Sequence, residues 1–246
     1  MNYRIQYESF NPVEPGRRLG SIRWIKGRIE TCLSKVSCSR SVVVDIGCGH
    51  GFALDALKEL GFQHRVGFEV DRDQAATARE YGHTVVLGKS ALDFVESLEP
   101  GSCDAILFID VLEHIPKAEL DQLIPACKNA LKRRGVVIVQ VPNAASPVGY
   151  YLHANDYTHQ THFSHKSLSF LLKKSGFDTV IHIPESSFPE RPSLRPWSDF
   201  FLHKWRRYLF RRCWQSVLMH ELCESEQAEM IPTDPNLMML ATMNHD

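Results

Sequence analysis

The chain has 246 residues, 43% hydrophobic and 23% charged, which suits one globular domain with an appendage or at most two small domains. With 28 Lys+Arg against 29 Asp+Glu the formal net charge is −1, which argues against a general nucleic-acid coat protein and leaves room only for a local basic patch. Seven cysteines, odd in number and without a Cys-x-x-Cys pair, argue against a disulfide framework or zinc knuckle and for a reducing compartment. Met1 to Pro15 is polar and no run approaches the length of a membrane span, so a cytoplasmic protein is expected.

Residues 1–41 carry no strand pattern. Pro12, Pro15 and Gly16 mark a loop or extended arm. Ile22, Ile25, Ile29, Leu33 and Val36 recur at helical spacing, predicting a helix over 22–36 that covers the sheet or the mouth of a ligand site. Val42-Val43-Val44-Asp45-Ile46 then reads as a buried parallel strand. It runs into glycines at alternate positions, Gly47, Gly49 and Gly51, with Cys48 and His50 between them. Phe52 to Leu60 has helical spacing and Gly61 is its expected C-terminal stop. Strand, glycine turn and helix N-terminus together make a cradle for a nucleotide-like ligand.

The spacing departs from the dinucleotide fingerprint, because the third glycine comes one residue early and Asp45 stands two residues before the first. An anionic pyrophosphate would be repelled by that acid, whereas a cationic ligand would be attracted. The stretch resembles motif I of the class I S-adenosylmethionine-dependent methyltransferases. That resemblance implies that Gly47, Cys48, Gly49 and Gly51 let the backbone approach the cofactor and that Asp45 orients its methionine end.

Val66 to Val70 predicts the second strand. Glu69 near its end lies about 20 residues past the glycine turn, the spacing at which an acid receives ribose hydroxyls. The resemblance assigns the same role to this position, with Val70 beside it. Asp71 is the competitor, and its other reading is the cap of a helix over 74–81. Thr84 to Leu87 predicts the third strand. The loop from Gly88 to Phe94 resembles the adenine-edge loop, with Ser90 and Ala91 as contacts; the bland reading is a Gly-x-Ser turn with Asp93 capping a helix.

Cys103 to Ile109 predicts the fourth strand. It delivers Asp110, Glu113 and His114 to the carboxyl edge of the sheet, where open α/β sheets bind ligands. If the segment turns helically, all three share one face. His114 suits proton transfer near neutral pH, and Glu113 either serves the site or starts the next helix. Leu120 to Leu131 predicts a helix ended by Arg133, Arg134 and Gly135, and Val136 to Val141 the fifth strand. Strand and helix alternate from Val42 to Val141, the pattern of a doubly wound parallel sheet. A long polar loop follows, holding His153, His159, His162 and His165, and loops of this length in compact domains are usually functional. A helix over 168–174 closed by Gly176 and a sixth strand over 178–183 complete the core.

"VPNAASP", "NDYTHQTHFSHKSL" and "LLKKSGF", in that order, resemble bacterial methyltransferases grouped with surface-polysaccharide and lipopolysaccharide genes, over about residues 40–185. This implies a hydroxyl acceptor on a glycan, glycolipid or sugar-derived molecule. A second resemblance concerns the Glu-x-x-Glu-His set of small-RNA 2′-O-methyltransferases and ubiquinone-pathway O-methyltransferases, which binds a divalent metal. Here Asp110-x-x-Glu113-His114 stands in its place, with His159 in the loop after strand five. The Asp for the first Glu shortens the reach, and in metal-free relatives that acid touches the cofactor. Asp110, Glu113, His114 and His159 are thus the candidate metal ligands, and His159, His114 and Glu113 the candidate catalytic groups. RNA ribose, quinone or other small-molecule acceptors stay open, as does a non-catalytic binding protein.

Pro189, Pro192 and Pro196 mark a linker. Trp197 to Leu222 predicts an aromatic helix without an acid between Asp199 and Glu221, its Trp197, Phe201, Trp205, Tyr208 and Leu209 on one side and Arg206, Arg207 and Arg211 mostly opposite. Three roles fit it: peripheral contact with the inner face of a membrane, holding of an anionic acceptor, or packing with snorkelling arginines. Asn236 to Met243 predicts a last strand, antiparallel by the resemblance. The expected organisation is an arm and covering helix over 1–40, a cofactor core over 41–185, and a helical insertion with the final strand over 186–246. The expected fold is α/β: a Rossmann-like, doubly wound, seven-stranded sheet, parallel except for its last strand.

Overall fold

The computed structural model describes residues 15–34, 40–185, 197–221 and 231–243. Its sheet has 7 strands in the order β3-β2-β1-β4-β5-β7-β6. They are β1 (Val42–Ile46), β2 (His64–Glu69), β3 (Val85–Leu87), β4 (Cys103–Ile109), β5 (Leu131–Pro142), β6 (Thr179–His182) and β7 (Asn236–Thr242). The first five run parallel, and β7 pairs antiparallel with both β5 and β6. The strand order reverses between β1 and β4, so their carboxyl ends open a crevice there.

The side-chain period of two explains how one β-branched strand serves two cores. Val44 and Ile46 enter the cluster containing Phe68, Phe94 and Phe108. Val43 faces the opposite cluster, with Ile29 and Leu33 of helix α1 (Pro15–Leu33) and Leu54 and Leu57 of α2 (Phe52–Glu59). The covering helix therefore starts seven residues earlier than its apolar spacing indicates, at a proline suited to a first turn. Val36 and the expected arm before Pro15 lie outside the described residues.

Several boundaries move for visible reasons. Asp71 caps α3 (Arg72–Glu80) by accepting from the backbone N–H of Asp73 and Gln74, both at 3.0 Å. Ser90, and not Asp93, caps α4 (Ala91–Glu96), its hydroxyl accepting from the Asp93 N–H at 3.2 Å. Helix α5 (Lys117–Ala130) starts at Pro116 and ends before Leu131, so Arg133, Arg134 and Gly135 lie inside β5, beside a register irregularity at Cys103 and Ala105. The polar loop after β5 contains a helix, α6 (Pro147–Ala154), capped by Ser146. Helix α7 (His165–Lys174) starts at a capping box formed by Ser164 and Ser167.

Helix α8 (Trp197–Glu221) occupies the stretch expected to be helical. Trp205, Tyr208, Leu209 and Phe210 are all exposed, so they form no packed aromatic side. Instead Arg211 is half-buried, paired with Glu185 and with Asp234 at 2.7 Å, and Trp214 Nε1 donates to the Ala145 carbonyl at 2.8 Å. The prolines of the expected linker and the side chains of Trp197, Phe201 and Arg207 lie outside the described residues. Among those described, no helix is long and apolar enough to cross a membrane.

Candidate active site

The glycine turn follows β1 as the sequence indicates. Gly47 has φ +69°, and a Cβ there would lie 2.6 Å from Val111 Cγ2. Gly49 has φ +53°, with Gln74 Oε1 3.0 Å from the position of a Cβ. Both positions need left-handed backbone; at Gly47 a Cβ would also collide with Val111, whereas at Gly49 only the flexible end of Gln74 would have to move. They border an open cleft enclosing about 850 Å³ of empty space, part of it continuous with solvent, between the carboxyl ends of β1, β2 and β4. Gly47, Gly49, Glu69, Val70, Ser90, Ala91, Asp110 and His114 all line it.

Three cofactor candidates do not line it. Cys48 turns its thiol inward, where a Cβ on Gly67 would meet Sγ at 2.6 Å, and burial pushes the thiol pKa far up. Gly51 is the N-cap of α2, closed over by His83 and Ala78. Asp45 shares the Val43 side of β1 and lies beneath the cleft, 2% exposed, with Oδ2 lacking a hydrogen-bond partner. Burial first, and the nearby Glu69 carboxylate second, raise its pKa from 3.8 to about 8.

Glu69 organises the turn. Its Oε2 accepts from the Gly49 N–H at 2.8 Å, and its Oε1 from the N–H groups of Val70 and Asp71 at 2.8 and 2.9 Å. Burial raises its pKa and these three donors pull it down. An ionised carboxylate has about four acceptor positions, so three backbone bonds leave capacity for one more donor. Asp71 spends its side chain on the α3 cap.

Asp110 ends β4 with φ +56°, the one non-glycine residue with positive φ among those described. Gln140 Nε2 donates to both of its carboxylate oxygens, at 3.1 and 2.9 Å. The chain then makes a single tight turn, Leu112–His114. Asp110 precedes that turn, so Asp110, Glu113 and His114 do not share a helical face. What the structure gathers is Glu113, His114 and His159, whose ligand-type atoms all lie within 4.8 Å of one another. The loop after α6 is tied down by Gln160 and Thr161, whose N–H groups donate to the Glu113 carbonyl at 2.7 and 3.1 Å. His159 Nε2 stands 3.8 Å from Glu113 Oε1.

Glu113 is 1% exposed and neither carboxyl oxygen has a hydrogen-bond partner. Burial, with Asp110 adding repulsion, holds its pKa well above the ordinary carboxylate range. His114 is pushed down from 6.5 to about 4, by burial and then by His159. A buried acid with two unsatisfied oxygens beside two imidazoles is a donor set that a divalent cation fits. Asp110, the fourth candidate ligand, is held away by Gln140.

Residues 23–182 match the family described as Methyltransferase domain. The chain belongs to that family. The S-adenosylmethionine-dependent methyltransferase of Archaeoglobus fulgidus superposes with a TM-score of 0.65 at 21% identity, over 98% of this chain and 99% of that one. Among curated sequences, the ubiquinone biosynthesis O-methyltransferase of Methylococcus capsulatus is 28% identical over 120 residues, 47% of this chain and 49% of that protein. Its counterpart in Cupriavidus pinatubonensis is 31% identical over 105 residues, 41% of each. The matched stretch thus spans about half the length of these relatives or less. This methyltransferase domain is of the S-adenosylmethionine-dependent class, and its residues fit that cofactor: open glycine backbone, an acid with spare acceptor capacity, and a buried carboxyl suited to a cationic ligand.

Proposed function

We propose that this chain is an S-adenosylmethionine-dependent O-methyltransferase acting on a hydroxyl of a small molecule. The observation that carries the reading is the trio Glu113, His114 and His159 beside the glycine-loop cleft, with Glu113 buried and neither of its carboxyl oxygens hydrogen-bonded. The cofactor supplies a methyl group already activated on a sulfonium, so the protein's work is mostly alignment for in-line displacement. Gly47 and Gly49 accommodate the methionine end, with the Asp45 carboxyl acting on its charge from beneath the turn. Glu69 and Val70 receive the ribose, and Ser90 and Ala91 border the adenine. Asp110, fixed by Gln140, positions the cofactor from the other wall. His159 or His114 takes the acceptor's hydroxyl proton, and Glu113, neutral in the empty site, gains its charge only as positive charge develops beside it. A divalent cation held by the same trio would supply Lewis acidity that lowers the hydroxyl pKa.

The names of the curated relatives favour an aromatic, quinone-type hydroxyl as acceptor; the glycan, glycolipid or sugar-derived acceptor rests on sequence resemblance alone. RNA is disfavoured by the net charge of −1. Cytoplasmic residence, with peripheral membrane contact through 197–222, belongs to the same reading and rests on cysteine usage and on the basic, aromatic composition of that stretch. Methyl transfer to a panel of catechols, quinols, glycans and RNA tests the proposal. His159→Ala is expected to lower turnover and leave cofactor affinity near normal. Loss of cofactor binding instead would make His159 structural, and absence of transfer to any hydroxyl would overturn the proposal.

A further inference from the structure

The two histidines of the trio are each held at Nδ1 by a group that fixes the tautomer. His159 Nδ1 lies 2.8 Å from the backbone carbonyl of His153. A carbonyl can only accept, so Nδ1 carries the hydrogen and the basic lone pair sits on Nε2. His114 Nδ1 lies 2.8 Å from Thr158 Oγ1, a group that can donate or accept. The hydroxyl has one proton, and its other partner decides where that proton goes. Thr158 Oγ1 is 2.5 Å from Asp156 Oδ1, which also accepts the Thr158 backbone N–H at 2.8 Å. A carboxylate accepts only, so the Thr158 proton points to Asp156. Toward His114 the hydroxyl is left as an acceptor, and His114 must donate from Nδ1.

We propose that Asp156 and Thr158 form a positioning relay that holds His114 in the Nδ1–H tautomer, so that His114 and His159 both present Nε2 as their basic nitrogen beside Glu113. The relay explains why the loop carries Asp156-x-Thr158-His159 as one unit. Asp156 orients Thr158, Thr158 orients His114, and His159 follows directly in sequence, seated by the His153 carbonyl at the end of α6. Asp156 Oδ2 also stands 3.9 Å from His159 Nε2, where it would favour the imidazolium once that nitrogen takes a proton. Partners of this kind are what fix imidazole tautomer and ring orientation where Nε2 acts as ligand or base.

The inference rests on the trio's place in the proposed reaction, but its test does not. Long-range proton–nitrogen correlation spectra of the full chain, labelled with nitrogen-15 in histidine, distinguish Nδ1–H from Nε2–H directly. In the wild type, both His114 and His159 are expected as Nδ1–H. Thr158→Val removes the hydroxyl acceptor at Nδ1 and should shift the His114 tautomer ratio away from Nδ1–H, with His159 unchanged. Thr158→Ser should restore the wild-type spectrum. Asp156→Ala frees the Thr158 hydroxyl to donate and should move His114 toward Nε2–H, which keeps the idea testable if Thr158→Val fails to fold. Turnover should fall roughly tenfold to a hundredfold in Thr158→Val, with recovery in Thr158→Ser and cofactor affinity preserved. A wild-type His114 in the Nε2–H form, or an unchanged His114 tautomer in both Thr158→Val and Asp156→Ala, would overturn the relay. If the wild type transfers no methyl group, the reaction assignment fails while the spectra still decide the relay.

Discussion

Asp45→Asn is the sharpest stability test of the cofactor half of the site. Asp45 is buried on the sheet beneath the glycine turn, its Oδ2 is unpartnered, and its folded pKa is raised from 3.8 to about 8. Between those two values the folded chain keeps a proton that the unfolded chain releases. Stability contributed by this group is therefore fully present below about pH 4 and falls as pH rises toward about 8. One proton of linkage amounts to about 1.4 kcal/mol per pH unit, so roughly 3 kcal/mol is lost between pH 5 and pH 7. Asparagine has nearly the same shape and no charge to desolvate, so the variant lacks that slope. Denaturant unfolding of the cofactor-free protein at pH 5, 6, 7 and 8 should show the advantage of Asp45→Asn growing steadily with pH. In thermal unfolding the gain from pH 5 to pH 7 should be on the order of 6–12 °C, taking about 2–4 °C per kcal/mol for a chain of this size. Cofactor affinity should fall in the same variant, since the carboxyl that burdens the empty fold is the one that favours a cation. Parallel stability curves for wild type and variant would refute the assignment of a neutral, buried Asp45.

Three further outcomes are expected. Gly49→Val, placing a branched side chain at φ +53° against Gln74, should abolish cofactor binding by equilibrium dialysis, and retained affinity would remove the cradle assignment. Glu69→Ala should weaken cofactor affinity more than Asp71→Ala, because Glu69 ties the Gly49 N–H of the turn to the end of β2 while Asp71 caps α3; Asp71→Ala should instead cost about 1 kcal/mol of stability. If the trio works with a divalent cation, exhaustive chelation should lower turnover and added Mn²⁺ should restore it, whereas unchanged turnover would leave His114 and His159 to act as bases alone.

The cofactor half of the site was legible because its chemistry lies in short stretches tied to one strand end. Val42 to Gly51 announces strand, turn and helix by residue type alone, and Glu69 follows at the spacing set by one strand–helix–strand unit. Sequence spacing does not report which way a side chain leaves the strand, so it could not separate Gly47 and Gly49, which border the cleft, from Cys48 and Asp45, which sit beneath it. The acceptor half was harder for a different reason. His114 meets Thr158 across 44 residues, and Gln160 reaches the His114 carbonyl across 46, contacts that no local pattern encodes. One local signal was readable: Ser146-Pro147 is an N-cap followed by a first-turn proline, and it marks the helix α6 hidden in the polar loop. Composition left three roles open for helix α8, and its anchoring by Arg211 and Trp214 was not legible because their partners Glu185, Asp234 and Ala145 are distant in sequence.

Asp110 shows why the two halves meet yet stay distinct. A chain leaving β4 in extended or right-handed helical geometry would carry Asp110, Glu113 and His114 along one path. The left-handed backbone at Asp110 breaks that path, at a cost of about 1–3 kcal/mol for a non-glycine residue, and aspartate is among the side chains that tolerate it best. Gln140, fully buried on the neighbouring strand β5, offsets the strain by donating to both Asp110 oxygens, while the Asp110 N–H donates to the Gln140 carbonyl at 2.9 Å. The turn thereby leaves Asp110 on the cofactor cleft and sends Glu113 around the corner to the histidines of the loop after α6. With its carboxylate held by Gln140, Asp110 stays on the cofactor cleft while the other three candidate ligands converge.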